Sequence, residues 1–191
     1  AILTGSEYGT SGLTIVQRDG HPMRVASPGD GSFLQAGNLN SQPRGLTSSG
    51  VAAGFDNTKS ENYDFVFSHP VVSAGLWIGN LNPGFPNVVV QFLDTTGAVI
   101  QSYNANTSDP NLLQGPGGDQ YNNRVFVGLN TTTPIAKIRV FNPANDNDGL
   151  VFDDIVFNRA ATTILDFEDQ PDNFVKAAFP ASYRGITWTN F

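Results

Sequence analysis

Four oxygen-bearing side chains follow one another at Asn145-Asp146-Asn147-Asp148, and Gly149 closes the run. Carboxylates and amides on a tight turn are the donors calcium takes, about six to eight oxygens in a flexible geometry. The segment does not follow EF-hand spacing: position one would be Ala144 and position twelve Ile155 instead of Glu. Asn145, Asp146 and Asp148 are the expected ligands. Bond-breaking chemistry is poorly provided for. The chain has two His, no Cys and no Gly-x-Ser-x-Gly elbow. His21 and His69 both precede proline, which biases them to extended backbone. Nothing nearby supplies the nucleophile and orienting group of a triad. Hydrolysis by two carboxylates would draw on Asp153, Asp154, Glu168 and Asp169. Successive strand residues point to opposite faces, so Asp153 and Asp154 are not expected to enter one site. The expectation is a non-enzymatic protein.

Sugar recognition asks for flat aromatics against apolar ring faces and for amides against hydroxyls. The candidates are Tyr63, Phe85, Tyr121 and Trp188, with Asn80, Asn82, Asn122 and Asn123 as polar partners. Tyr183 and Arg44 are further loop-borne candidates. Trp77 lies inside an apolar run and is assigned to the core.

Composition narrows the partners. Of 191 residues, 39% are apolar, enough for a core. Only 14% are charged, against roughly 25% in an average globular domain. Asn, Thr, Ser and Gly carry the polarity. The net charge of −7 and the absence of a basic cluster argue against nucleic acid and anionic membrane surfaces. No apolar run reaches the roughly 18 residues of a membrane span. The Asn106-Thr107-Ser108 and Asn130-Thr131-Thr132 sequons read as chance matches in an Asn/Thr-rich chain. No signal peptide is recognised, so a mature form or an excised segment is expected.

These residues must be held by strands, because helical periodicity is nearly absent. Strands are expected at 12–17, 62–67, 71–78, 87–94, 98–103, 124–129, 135–141 and 150–157, then at 164–167 and 185–191. Asp94-Thr95-Thr96-Gly97 reads as a hairpin turn with Gly at the φ > 0 position. Val88 to Leu93 reads as a central strand. Residues 18–61 are irregular, and a helical turn is expected near 109–113. The fold class is all-β, an antiparallel jelly-roll β-sandwich. The sandwich is expected over 1–158, with a strand segment at 159–191. That segment either completes the same sandwich or pairs with a neighbouring copy.

In order, DFVFSHPVVSAGLWIGNL (64–81), VVVQFLDTTGAVIQSY (88–103), RVFVGLNTTTPIAKIRVF (124–141) and DGLVFDDIVF (148–157) resemble jelly-roll modules of bacterial secreted surface proteins. Those include PEP-CTERM-type proteins and galactose-binding-like carbohydrate-binding modules. The resemblance implies a non-catalytic, extracellular or cell-surface module that binds a polysaccharide or glycan. It also implies a structural calcium between an opening Glu strand and a closing Asp strand. Asp153 or Asp154 would then pair with Glu168. Ile164–Asp169 and Tyr183–Trp188 match the opening of such modules, whereas the amino end carries only Tyr8–Ile15. A second expectation follows: a structural repeat of a surface filament or adhesin, joined to other copies by exchange of end strands.

Overall fold

Two long strands organise the molecule, Asn62–Leu81 and Asp119–Phe141, of 20 and 23 residues. In the computed structural model, residues 5–18, 23–26, 45–47, 62–81, 88–106, 109–115, 119–142, 150–159, 182–183 and 186–187 are described. The strands in chain order are β1 (Leu13–Gln17), β2 (Arg24–Ala26), β3 (Gly45–Thr47), β4 (Asn62–Leu81), β5 (Val88–Leu93) and β6 (Val99–Ala105). They continue with β7 (Leu113–Gly115), β8 (Asp119–Phe141) and β9 (Val151–Arg159). Every pairing among them is antiparallel.

The sequence runs 62–67 and 71–78 fuse into β4, and 124–129 and 135–141 fuse into β8. Pro70 and Pro134 mark the joins. Proline cannot donate to a ladder and is tolerated where pairing is interrupted. The interruption is reciprocal. From Val66↔Lys137 to Val71↔Ile135, five steps along β4 face two along β8. From there to Ser73↔Asn130, two steps on β4 face five on β8. The bulges cancel, the register is restored, and both strands pass from one layer of the fold to the other.

Layer one pairs β1, the first part of β4, the last part of β8, β5 and β6. Layer two pairs β2, β3, β9, the rest of β4, the rest of β8 and β7. Period-two alternation turns Ile15, Phe65, Ile138 and Phe92 inward from layer one. Leu76, Ile78, Val125, Val127 and Phe152 turn inward from layer two. The layers meet through aromatic rings. Phe152 lies edge-on to Phe65 at 5.1 Å and to Tyr63 at 5.8 Å, and Phe67 meets Phe157 at 4.9 Å. Edge-to-face packing suits the ring quadrupoles. The result is the all-β antiparallel sandwich that the strand pattern predicts.

The β5–β6 turn is built as its sequence predicts. Asp94 Oδ1 accepts from the Thr96 N–H, the Thr96 hydroxyl and the Ala98 N–H. Gly97 takes φ +86°. Gly97→Ala forces a Cβ into that left-handed region and should cost about 1 kcal/mol, read from the urea midpoint. Near residue 109 the chain makes a single turn: the Leu112 N–H donates to the Asp109 carbonyl at 3.1 Å, and Asp109 Oδ1 accepts the Asn111 N–H at 2.8 Å.

The chain divides into two compact units, residues 1–159 and 160–191. In the second, β10 (Ser182–Tyr183) and β11 (Ile186–Thr187) form an antiparallel hairpin. The strand expected at 164–167 lies outside the described residues.

Candidate functional site

A cleft of about 390 Å³ opens along one edge of the sandwich. Its apolar part comes from Leu13, Leu46, Phe152 and Phe157, and its polar part from Tyr8, Ser11, Asp153 and Asp154. Tyr8 and Ser11 are presented by the 3-10 turn that leads into β1. Burial, with Glu7 adding to it, raises the Tyr8 phenol above its ordinary value, so it stays a neutral hydroxyl.

The local fold of β9 brings the two aspartates to this cleft. Gly75 pairs with Val156 and Trp77 with Asp153, so one residue of β4 faces two of β9. This is a β-bulge at Asp154 and Ile155. Asp154 sits at φ +42°, a conformation Asp tolerates better than most residues. The Asp154 N–H donates to Asp153 Oδ1 at 2.9 Å. The extra residue shifts the alternation, so Phe152 and Phe157 both reach the core although five positions apart. Asp153 pairs with the outward Trp77 and Asp154 lies in the bulge, and both residues are among those that border the cleft.

The other expected residues are dispersed. Tyr63 is fully buried with its ring on Phe152, so it offers no face to a sugar. Asn80 and Asn123 are buried too, at opposite sides of the β4–β8 ladder end, and Asn80 adopts φ +64°. Tyr121 and Asn122 lie in β8. Asn82, Phe85, Arg44 and Trp188 lie outside the described residues, as do the calcium candidates Asn145, Asp146, Asp148 and Glu168. Among the described residues no three His, Asp or Glu side chains gather as a metal site. His21 is outside the described residues. His69 Nδ1 shares a hydrogen bond with the neighbouring Ser68 Oγ at 3.1 Å on the exposed bulge of β4. Among the described residues no acid orients that ring.

Trp77 is another correction. Leu76 and Ile78 point inward, so Trp77 points out and is half-buried on the outer face of layer two. Its cross-strand partner is Phe126, 42% exposed, with ring centroids 5.7 Å apart. The Arg124 guanidinium stands 6.0 Å from the Trp77 ring centroid. Sequence reasoning passed over Phe126, though a signal was present. Gly75-Leu76-Trp77 and Phe126-Val127-Gly128 mirror each other, and antiparallel pairing sets aromatic on aromatic and Gly on Gly.

The outer face of layer one holds a charge cluster that is structural. Asp64 accepts from Arg139 at 2.7 and 3.0 Å and from Lys137 at 3.0 Å, with Arg18 at 3.7 Å. Burial alone would raise the Asp64 carboxyl. The bonds from Arg139 and Lys137 outweigh it and hold the group below the ordinary carboxylate value.

No family model matches the sequence, and no curated protein does. Solved structures match at low identity. A carbohydrate-binding module, TmCBM61, in complex with β-1,4-galactotriose, is 12% identical with a TM-score of 0.43, over 82% of this chain and 97% of that one. The K1 cleaved adhesin domain of Lys-gingipain from Porphyromonas gingivalis W83 is 10% identical with a TM-score of 0.40, over 76% and 98%. The enzymatically active domain of bacteriophage CBA120 tailspike protein 4 is 14% identical with a TM-score of 0.39. This chain spans 78% of its own length in that match and 19% of the tailspike chain. No residue role is carried across from any of them. The PEP-CTERM likeness rests on the sequence succession alone. Among the described residues no helix is long and apolar enough to cross a membrane.

Proposed function

We propose that the chain is a non-catalytic, extracellular binding module for a polysaccharide or glycan, supported by calcium. The observation that carries the reading is the edge cleft. Tyr8, Ser11, Asp153 and Asp154 border it together with Leu13, Leu46 and Phe157. Ring hydroxyls and C–H faces ask for that combination, and the volume falls within the roughly 300–1,000 Å³ of small-molecule sites. Asp153 and Asp154 are consecutive on one strand. They cannot approach a glycosidic bond from its two sides, as acid and nucleophile or base must. Binding without cleavage is the consistent outcome. A glycan array tests it: the intact chain should be retained by at least one glycan class. Asp154→Asn, which tolerates the left-handed backbone, should weaken that retention. A chain retained by none would overturn the reading.

Calcium is the cation this donor set suits, all oxygen and no sulfur. Asp153 and Asp154 make up part of a set that needs about six oxygens. Asn145, Asp146 and Asp148 are proposed to supply the rest. At calcium a hundredfold above Kd, binding stabilises the fold by about 2.7 kcal/mol. EDTA should therefore lower the Tm by about 5–10 °C. A Tm unchanged by chelation would contradict a structural ion.

A further inference from the structure

The Phe126 ring lies flat on the sheet because two glycines face each other beneath it. A Cβ built on Gly75 would meet Phe126 Cζ at 2.5 Å, and one on Gly128 would meet Phe126 Cε1 at 2.7 Å. Gly75 and Gly128 are cross-strand partners, so their missing side chains form one depression two residues from the Trp77–Phe126 pair. One face of the ring is against backbone and the other is open to water, at 42% exposure. An aromatic ring left open in this way has one face free to stack. Its surroundings define what can occupy it. Trp77 stands beside it with Arg124 beyond, and the Ser73↔Asn130 pair supplies hydroxyl and amide on the far side of the glycines. Among the described residues, the other exposed large apolar side chains on this face are Val156, opposite Gly75, and Leu113, opposite Arg124. With Phe126 they make three exposed large apolar side chains on this face among the described residues. The apolar area fits one small ring with a polar periphery.

We propose that the outer face of layer two is a stacking subsite for one pyranose ring of a polysaccharide, with Phe126 as its platform. The ring's C–H face lies on Phe126, and its hydroxyls meet Arg124, Ser73 and Asn130. The subsite rests on the glycan-binding reading, and Phe126 is not among the residues that border the edge cleft. It therefore adds a second point of contact along one polymer, and two modest contacts on one chain raise retention steeply.

The test uses the intact chain and the polysaccharide that retains it best. Phe126→Ala should raise Kd roughly tenfold and, through lost contact with Trp77 and the glycine backbone, lower Tm by only a few degrees, whereas Phe126→Tyr should preserve both. Gly128→Ala gives an independent lever: its Cβ displaces the ring's near edge and should weaken binding in the same direction. A second readout needs no loss of binding. Of the two Trp in the chain, Trp188→Phe leaves Trp77 alone, and its emission should change saturably with polysaccharide. Unchanged affinity in Phe126→Ala together with silent Trp77 emission overturns the platform. If binding survives Phe126→Ala and is lost in Asp154→Asn, the cleft alone carries glycan. If the unaltered chain binds no polysaccharide, the glycan reading falls and the platform with it.

Discussion

Phe152→Ala is expected to destabilise the sandwich by about 3–5 kcal/mol, the range for truncating a buried aromatic. Phe152 is fully buried and contacts both Tyr63 and Phe65 from the opposite layer. It is one of the rings that fill the space where the layers face each other, so little nearby can collapse into the void. Phe152 is also among the residues that border the cleft. Chemical unfolding should show a lower midpoint, and any glycan affinity should fall with it. Phe152→Leu keeps most of the volume and should recover much of the stability. A Phe152→Ala chain as stable as the parent would mean that the layers are not packed through this ring.

Asp64→Asn is expected to cost about 2–4 kcal/mol at neutral pH, because it leaves cations beside one another without their anion. Lys137 and Arg139 are about a quarter exposed, so water relieves part of that cost. The direction with pH follows from the lowered pKa of Asp64. Folding favours the charged carboxylate, so its contribution is complete above the unfolded value near 4. It is lost as pH falls through the lower folded value. Other carboxylates titrate in that window, so the useful quantity is the difference between parent and Asp64→Asn stability. That difference should shrink on acidification below about pH 4. A difference constant from pH 7 to pH 2 would show that the ion pairs contribute nothing.

Much of the fold was legible because alternation is legible. Phe65 and Phe67, Val88 to Phe92, and Ile138 and Val140 each declared a strand and its buried face. The Asp94–Gly97 turn declared itself through side-chain chemistry confined to four residues. The joins were not legible. Pro70 and Pro134 read as strand ends, whereas each is an interruption that its partner strand mirrors, and reciprocity is invisible to a pass along one strand. The site depended on a similar irregularity. Asp154 sits in a bulge at positive φ, which a period-two reading of the strand does not show. Trp77 and Phe126 were hidden for a different reason. Each sits in an apolar run that looks like core, and only the register Trp77↔Phe126, with Gly75↔Gly128 beside it, turns them out of it. Tyr63 failed in the opposite sense: near an irregular segment it looked loop-borne, but it is an inward position of β4.

The central claim is binding to glycan without cleavage, and one measurement addresses both halves. The intact chain is run through native gels containing soluble polysaccharides, and each polysaccharide is assayed afterwards for new reducing ends. The expected result is retarded migration in at least one polysaccharide, weakened by Asp154→Asn, with no reducing ends released. Unretarded migration in every gel, or release of reducing ends from the polysaccharide that retards the chain, would contradict it.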